Sequence, residues 1–224
     1  ATNDQLKVLF AEADGTITFE GCTFTNDKSR YNGLNIYANT YIKDCTFKFI
    51  SGKSNFIDME GIGKTLTIEN SSATLDGNTV NIADFVGGSK LDDNFFILNG
   101  KYYYYVKTAT SFKNICTVIL ADGSKNVTIE LANDIDLAGI EWPAVSTAAA
   151  FVLDGKGHSI KNLTTSAVED HGFYSTAMFT STRKATTIKN LVVENATVTG
   201  KGGDNSHGAV LVACNYAALN IEGV

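Results

Sequence analysis

Proline occurs once in 224 residues, at Pro143, so no proline-rich linker divides the chain. Arginine occurs twice, at Arg30 and Arg183, and neither stands in a catalytic-looking context. The 18 Lys and Arg are dispersed and outnumbered by 24 Asp and Glu, for a formal charge of −6. A surface that binds phosphate backbones needs clustered positive charge, so no nucleic-acid partner is expected. Long apolar runs are missing. "STAAAFVL" (146–153) is among the longest and is too short to cross a bilayer, so no membrane span is expected. Four cysteines are too few for a disulfide scaffold. Cys22 and Cys45 sit in matching words, "GCTF" and "DCTF". They read either as small buried strand residues or as a disulfide, and directly stacked parallel neighbours seldom offer bridge geometry.

What is present is a repeat. An apolar residue followed by Lys or Glu and then Asn, Asp or Gly recurs as "FEGC" at Phe19, "IKDC" at Ile42, "IENS" at Ile68, "IKNL" at Ile160 and Ile188, and "IEGV" at Ile221. Weaker copies begin at Ile97 ("ILNG") and Ile129 ("IELA"), and the spacings run from 23 to 33 residues. Such a period marks a solenoid in which each repeat rests on the next. The segments between turns are short and rich in Thr, Ile, Val, Phe and Tyr, as in "GTITFEGCTF" and "KNVTIELANDIDL", which excludes helical repeats. Only "SFKNICTVIL" (111–120) reads as a short helix.

The fold expected is therefore all-β: a right-handed parallel β-helix with coils of about 23–33 residues, residues 1–100 forming the first coils and 101–224 continuing them. The apolar residue of each word points inward, the next points to water, and the third occupies a bend that tolerates left-handed backbone. Asp44, Asn70, Asn162 and Asn190 are assigned to a structural ladder of such bends, the alternative being ordinary surface turns. The shared word places Ile160 over Ile188 and Asn162 over Asn190. "DQLKVLFAEA" (4–13) reads as a short amphipathic helix capping the first coil, with Leu6, Leu9 and Phe10 on its apolar side. The chain opens "ATNDQL" without methionine, so a leader was removed or the segment is internal. It stops at "LNIEGV", inside a strand, so further chain or a partner is expected to cover the last coil.

Residues 102–224 carry a more specific pattern: "NDIDLAG", the pair Trp142–Pro143, "LDGKGHSIKNL" and a following "IKNL". In this it resembles bacterial cell-surface proteins with GLUG-type repeats, as found in gut Bacteroidetes and Firmicutes, which are similar in fold to pectate-lyase-type β-helices. The family's Gly-Leu-Phe-Gly-like word is reduced here to "HGFYSTAMF" (171–179) and "HGAVLVACN" (207–215). The resemblance implies an extracellular or cell-surface location and no defined activity.

Candidate chemistry is thin. A lyase or glycosidase needs converging carboxylates with a basic partner. Asp134 and Asp136 share a strand face in "NDIDL", and Asp154, Asp92 and Asp93 are further acids, but a backbone-capping role accounts better for the "NDIDL" pair. No catalytic residue is assigned. His171 and His207 each precede glycine and make half a zinc site at best, while His158 belongs to a turn, so neither a metal nor a cofactor is expected. "KYYYYV" (101–106) alternates Tyr102 and Tyr104 on one face with Tyr103 and Tyr105 on the other. One pair suits the core and the other a sugar-stacking platform, unless both faces are covered. These readings favour a non-catalytic surface module for adhesion or contact with glycans or host proteins. The alternatives are a polysaccharide lyase or glycoside hydrolase on the same fold, and a phage tail-spike or fibre component.

Overall fold

A computed structural model of the chain describes residues 6–8, 15–25, 34–51, 57–87, 95–170 and 173–224. Among the described residues the protein is mostly β, with one short α-helix. It divides into two compact units, Ala1–Tyr104 and Tyr105–Val224. Among the described residues no helix is long and apolar enough to cross a membrane.

In the first unit the chain visits three sheets in turn. Leu34–Ile36, Asn39–Lys43 and Thr46–Phe49 belong to one sheet each, and Ile57–Met59, Leu66–Glu69 and Ser72–Leu75 return to the same three sheets, parallel to their predecessors. Parallel pairing in register sets each residue on its equivalent, about 4.8 Å away. Phe19, Ile42, Ile68 and Leu98 therefore form one column. Phe24 and Phe47 begin another, their rings stacked at 5.0 Å. Ile42, Ile68 and Phe47 are almost wholly buried, and the residues that alternate with them face outward.

Two type I′-like turns end the parallel pattern locally. Asp76–Gly77 (φ 48° and 83°) folds Asn78–Val80 antiparallel onto Ser72–Leu75. Asn99–Gly100 (φ 49° and 75°) folds Lys101–Val106 antiparallel onto Phe95–Leu98. Both Asp-Gly and Asn-Gly suit two successive left-handed residues. The weak copy at Ile97 is thereby corrected by one position, because Leu98, not Ile97, stacks on Ile68.

The expected N-terminal helix is a second correction. Leu6–Val8 form a strand, parallel to Leu34–Ile36. Apolar spacing alone fits a helix face there, but the open edge of Leu34–Ile36 presents backbone donors and acceptors that a strand satisfies and a helix does not. Leu9 and Phe10 lie outside the described residues.

The second unit repeats the principle with other strands. Asn126–Leu131, Ala150–Asp154, Thr186–Lys189 and Leu219–Glu222 pair in parallel, giving the column Ile129, Leu153, Ile188 and Ile221. Ile135–Asp136, Ser159–Lys161 and Val192–Glu194 make a neighbouring sheet with the column Ile135, Ile160 and Val193. Ile160 and Ile188 are thus both fully buried but belong to different columns. The expectation that they stack is wrong, and so is the pairing of Asn162 with Asn190. Thr108 caps the helix Ala109–Asn114, accepting from the Ser111 N–H at 3.1 Å, and a π-helical turn, Ile115–Ile119, continues it. Phe112 from this helix stacks on Trp142, whose Nε1 donates to the Met178 carbonyl at 2.9 Å.

Gly155 is fixed by close approach. A Cβ there would lie 2.3 Å from the Asn190 carbonyl oxygen and 2.7 Å from the Leu191 Cα. Gly157 has a left-handed φ of 86° and open space around it. Gly155→Ala is expected to lower the urea midpoint well beyond the change for Gly157→Ala, which carries only the ~1–2 kcal/mol of left-handed strain. Ile188→Ala should cost about 2–5 kcal/mol, because stacked strands cannot collapse into the gap. Equilibrium urea unfolding of the three variants checks the order, and a Gly155→Ala protein as stable as the wild type would refute the packing argument.

Candidate functional site

The bend residues hold the layers in register. Asp44 (φ 53°), Asn70 (φ 48°), Asn162 (φ 58°) and Asn190 (φ 50°) all take left-handed backbone. Each of three still donates its N–H to the next layer: Asp44 to the Glu69 carbonyl at 3.1 Å, Asn162 to that of Glu194 at 2.9 Å, and Asn190 to that of Glu222 at 2.9 Å. Asn70 donates its N–H to the Asn99 side chain at 2.9 Å. Two of the side chains reach acids, Asn162 Nδ2 donating to Asp136 at 2.8 Å and Asn190 Nδ2 to Asp154 at 3.1 Å, while the Asp44 carboxylate lies 3.7 Å from Lys43.

The acids of "NDIDL" are engaged in the same way. Asp134 pairs with Lys161 at 2.8 Å and accepts the Ser159 N–H at 3.0 Å, with His158 Nδ1 3.5 Å away. The Lys161 hydrogen bond, helped by the Ser159 N–H, holds the Asp134 carboxyl well below the usual carboxylate range. Asp134 in turn raises Lys161 above the ordinary lysine value. Asp136 is lowered by the Asn162 amide and the Ala138 N–H. A general acid needs a raised carboxyl pKa and a lysine base a lowered one. These shifts run the other way, so the cluster is a set of ionised capping pairs. Asp92, Asp93, Arg30 and His171 lie outside the described residues. Among the described residues no group of three or more His, Cys, Asp or Glu is placed to hold a metal ion. All four cysteines are free; the Cys22 N–H approaches the Cys45 sulfur at 3.3 Å, and burial alone pushes the Cys116 thiol up.

The tyrosine run is packed against its own hairpin. Tyr104 is buried, and burial pushes its hydroxyl to about 12. Tyr103 stacks on Phe96 at 4.7 Å, with the Lys101 ammonium 5.3 Å from its ring centroid. Tyr102 lies against Phe95 at 5.6 Å, and Tyr105 is half-buried.

An open groove of about 610 Å³ lies elsewhere, within the second unit. Its floor is the sheet of Ser146–Thr147, Phe179–Thr182 and Val212–Asn215, whose register sets Ser146, Ser181 and Cys214 in one row. The Ser146 and Ser181 hydroxyls are 2.6 Å apart. One residue past the ends of these strands stand Arg183 and Tyr216, the guanidinium 5.9 Å from the ring centroid. Its wall is the hairpin of Val168–Asp170 and Phe173–Thr176, which pairs in parallel with Ser206–Gly208. Phe173 stacks on His207 at 5.9 Å, and the Ser175 hydroxyl lies 3.6 Å from the Cys214 sulfur where wall meets floor. Phe173 is 49% exposed and Tyr216 70%. Glu169 is the one carboxylate among the described lining residues, and it accepts from the Tyr174 hydroxyl at 3.2 Å.

Sequence reasoning considered Arg183 and His207 separately and never joined them. The residues fall between 144 and 216 and lie outside the "IKNL"-type words, several of them in the two "HG" segments. The signal available was the exposed aromatic beside each "HG" word, Phe173 in the first and Tyr216 just after the second. Compared with protein-family models, with curated proteins and with solved structures, the chain matches none.

Asp154 gives a prediction on pH. Its side chain is nearly buried, and burial pushes its pKa up, but the Lys156 N–H, the Asn190 amide and Lys189 together outweigh that and leave it lowered. A lowered folded pKa contributes stability that is complete above the unfolded value near 3.8 and is lost as pH falls through the folded one. The urea midpoint of the wild type should fall as pH drops below about 4, and Asp154→Asn should flatten that fall. At pH 7 the variant should lose about 1–3 kcal/mol, because three donors lose a charged acceptor. Parallel pH profiles of the two proteins would count against this account.

Proposed function

We propose that this chain is a right-handed parallel β-helix and serves as a non-catalytic, extracellular module of a bacterial surface protein of the GLUG-repeat kind, contacting glycans through the groove of its second unit. Support for the fold comes from the cyclic visits to the same sheets, the 23–33-residue spacing of the words and the left-handed bends between strands. The observation that carries the function is the pairing of two exposed aromatic rings, Phe173 and Tyr216, with hydroxyls and a guanidinium on paired strands. Aromatic faces stack on the C–H side of sugar rings, while nearby hydroxyls and Arg meet the sugar's polar edge. Strands that are paired on a stacked sheet lose little freedom on binding, which favours affinity. Adhesion follows if many such modules face a glycan-rich surface, where avidity multiplies modest single-site affinity.

A lyase or glycosidase on the same fold would need a second acid or a lowered base beside Glu169. The test is a glycan array followed by titration of the best ligand. Phe173→Ala and Tyr216→Ala are each expected to weaken binding by roughly 2- to 12-fold, the equivalent of the ~0.5–1.5 kcal/mol that an aromatic contact contributes. The Tyr102–Tyr105 run serves as the comparison, since Tyr102→Ala should leave binding unchanged if the groove is the site. Release of reducing ends or unsaturated sugars from the bound glycan would overturn the non-catalytic reading.

A further inference from the structure

We propose that the groove selects glycans bearing a carboxylate, sugars of the uronic- or sialic-acid type, with Arg183 as the residue that reads the charge. This inference rests on the glycan-binding reading above and narrows it. The first ground is the state of Arg183. Lys43, Lys156, Lys161 and Lys189 each pair with a carboxylate of the protein. Arg183 is exposed and, among the described residues, has no acidic partner: its Nε lies 3.5 Å from the Ser146 hydroxyl, and its other neighbour is the Tyr216 ring. Glu169, the carboxylate of the described lining, is committed to Tyr174, whose ring carries the Lys201 ammonium 3.7 Å from its centroid.

The second ground is geometric. A guanidinium is a planar fork of donors that fits a planar carboxylate bidentately. Here it stands one alternation step from the Ser146–Ser181 hydroxyl pair and beside an exposed ring. A pyranose stacked on Tyr216 would set its carboxylate toward Arg183 and its hydroxyls toward the two serines. The third ground is the charge of the whole chain. At −6 the protein repels polyanions in general, so an anion must be recognised by a specific contact rather than by a broad positive field.

The experiment compares matched ligands by calorimetric titration of the whole chain: tetragalacturonate with its carboxyl-reduced counterpart, and sialyllactose with lactose. The wild type should prefer the acidic member of at least one pair by about tenfold or more. That preference should shrink between about 0.05 and 0.5 M salt. Arg183→Gln should abolish the preference while keeping the weaker binding of the neutral member, and Arg183→Lys should restore part of it. Arg183 is exposed, so a melting curve matching the wild type is expected and checks folding. Equal affinity for acidic and neutral members, with sensitivity to Tyr216→Ala, would overturn this inference and leave the glycan reading standing. Binding to none of the four ligands, nor to any glycan on an array, would overturn both. Dextran sulfate bound as tightly as the uronate would show mere anion attraction and would also overturn the proposal, as would a preference unchanged in Arg183→Gln.

Discussion

Parallel strands stacked in register impose one constraint on everything else in this protein: each residue must be compatible with its own equivalent in the layers above and below. For apolar residues the constraint is an advantage. Ile129, Leu153 and Ile188 lie on one another and are fully buried, and Phe24 stacks on Phe47. For charged residues it is a problem, because like charges directly opposite repel. The outward position before the bend resolves it by alternation. Glu20, Lys43 and Glu69 form one row in the first unit, and Asp136, Lys161 and Glu194 form another in the second. Where alternation fails, as with Glu130 beside Asp154, Lys156 reaches both, at 3.2 and 3.8 Å, and Lys189 approaches Asp154 at 3.3 Å. The pairs with an exposed carboxylate contribute little alone and mainly fix register, whereas Asp154 is nearly buried and its partners matter to stability.

The same constraint sets the bends. A chain that turns between sheets must keep its N–H groups on the next layer's carbonyls while reversing its local hand. Asp44, Asn162 and Asn190 do so at φ near 50°, and Gly21 does so without a Cβ. Asn162 and Asn190 add a side-chain amide to a neighbouring acid, Asp136 and Asp154, which helps lower that acid's pKa. Stability, register and the lowered carboxyl pKa values thus have one origin, the corner of the stack.

The corner chemistry also explains how much was legible in the sequence. "IKNL" marks a buried aliphatic, an outward cation and a left-handed bend, and it does so at both occurrences. It does not say which corner. Ile160 stacks on Ile135 and Val193, whereas Ile188 stacks on Leu153 and Ile221, because any corner with the same geometry accepts the same letters. The layer between Ile129 and Ile188 was hidden in "FVLDG", where Gly155 replaces the asparagine because Asn190 presses against it. The N-terminal helix failed for a related reason: Leu6–Val8 also fit an open sheet edge, and only the neighbouring strand decides. The groove was illegible because its residues share a row, not a word. Ser146, Ser181 and Cys214 meet through register alone.

The groove itself arises where the repeat breaks. Regular stacking makes flat faces, on which side chains stand in ordered columns and leave no concavity. In the second unit Val168–Asp170 turns back antiparallel on Phe173–Thr176 and raises a wall beside the floor of Ser146, Ser181 and Cys214. Phe173 is exposed there against His207, and Arg183 and Tyr216 are exposed beside each other just past the floor strands. If the chain is the β-helix proposed above, it would tolerate such an insertion because each layer is held by its own neighbours. Under the proposed function, the regular part would supply rigidity and the irregular part recognition. A variant that shortened the hairpin would flatten the wall while sparing the columns of Ile129 and Ile135, which separates the two roles physically.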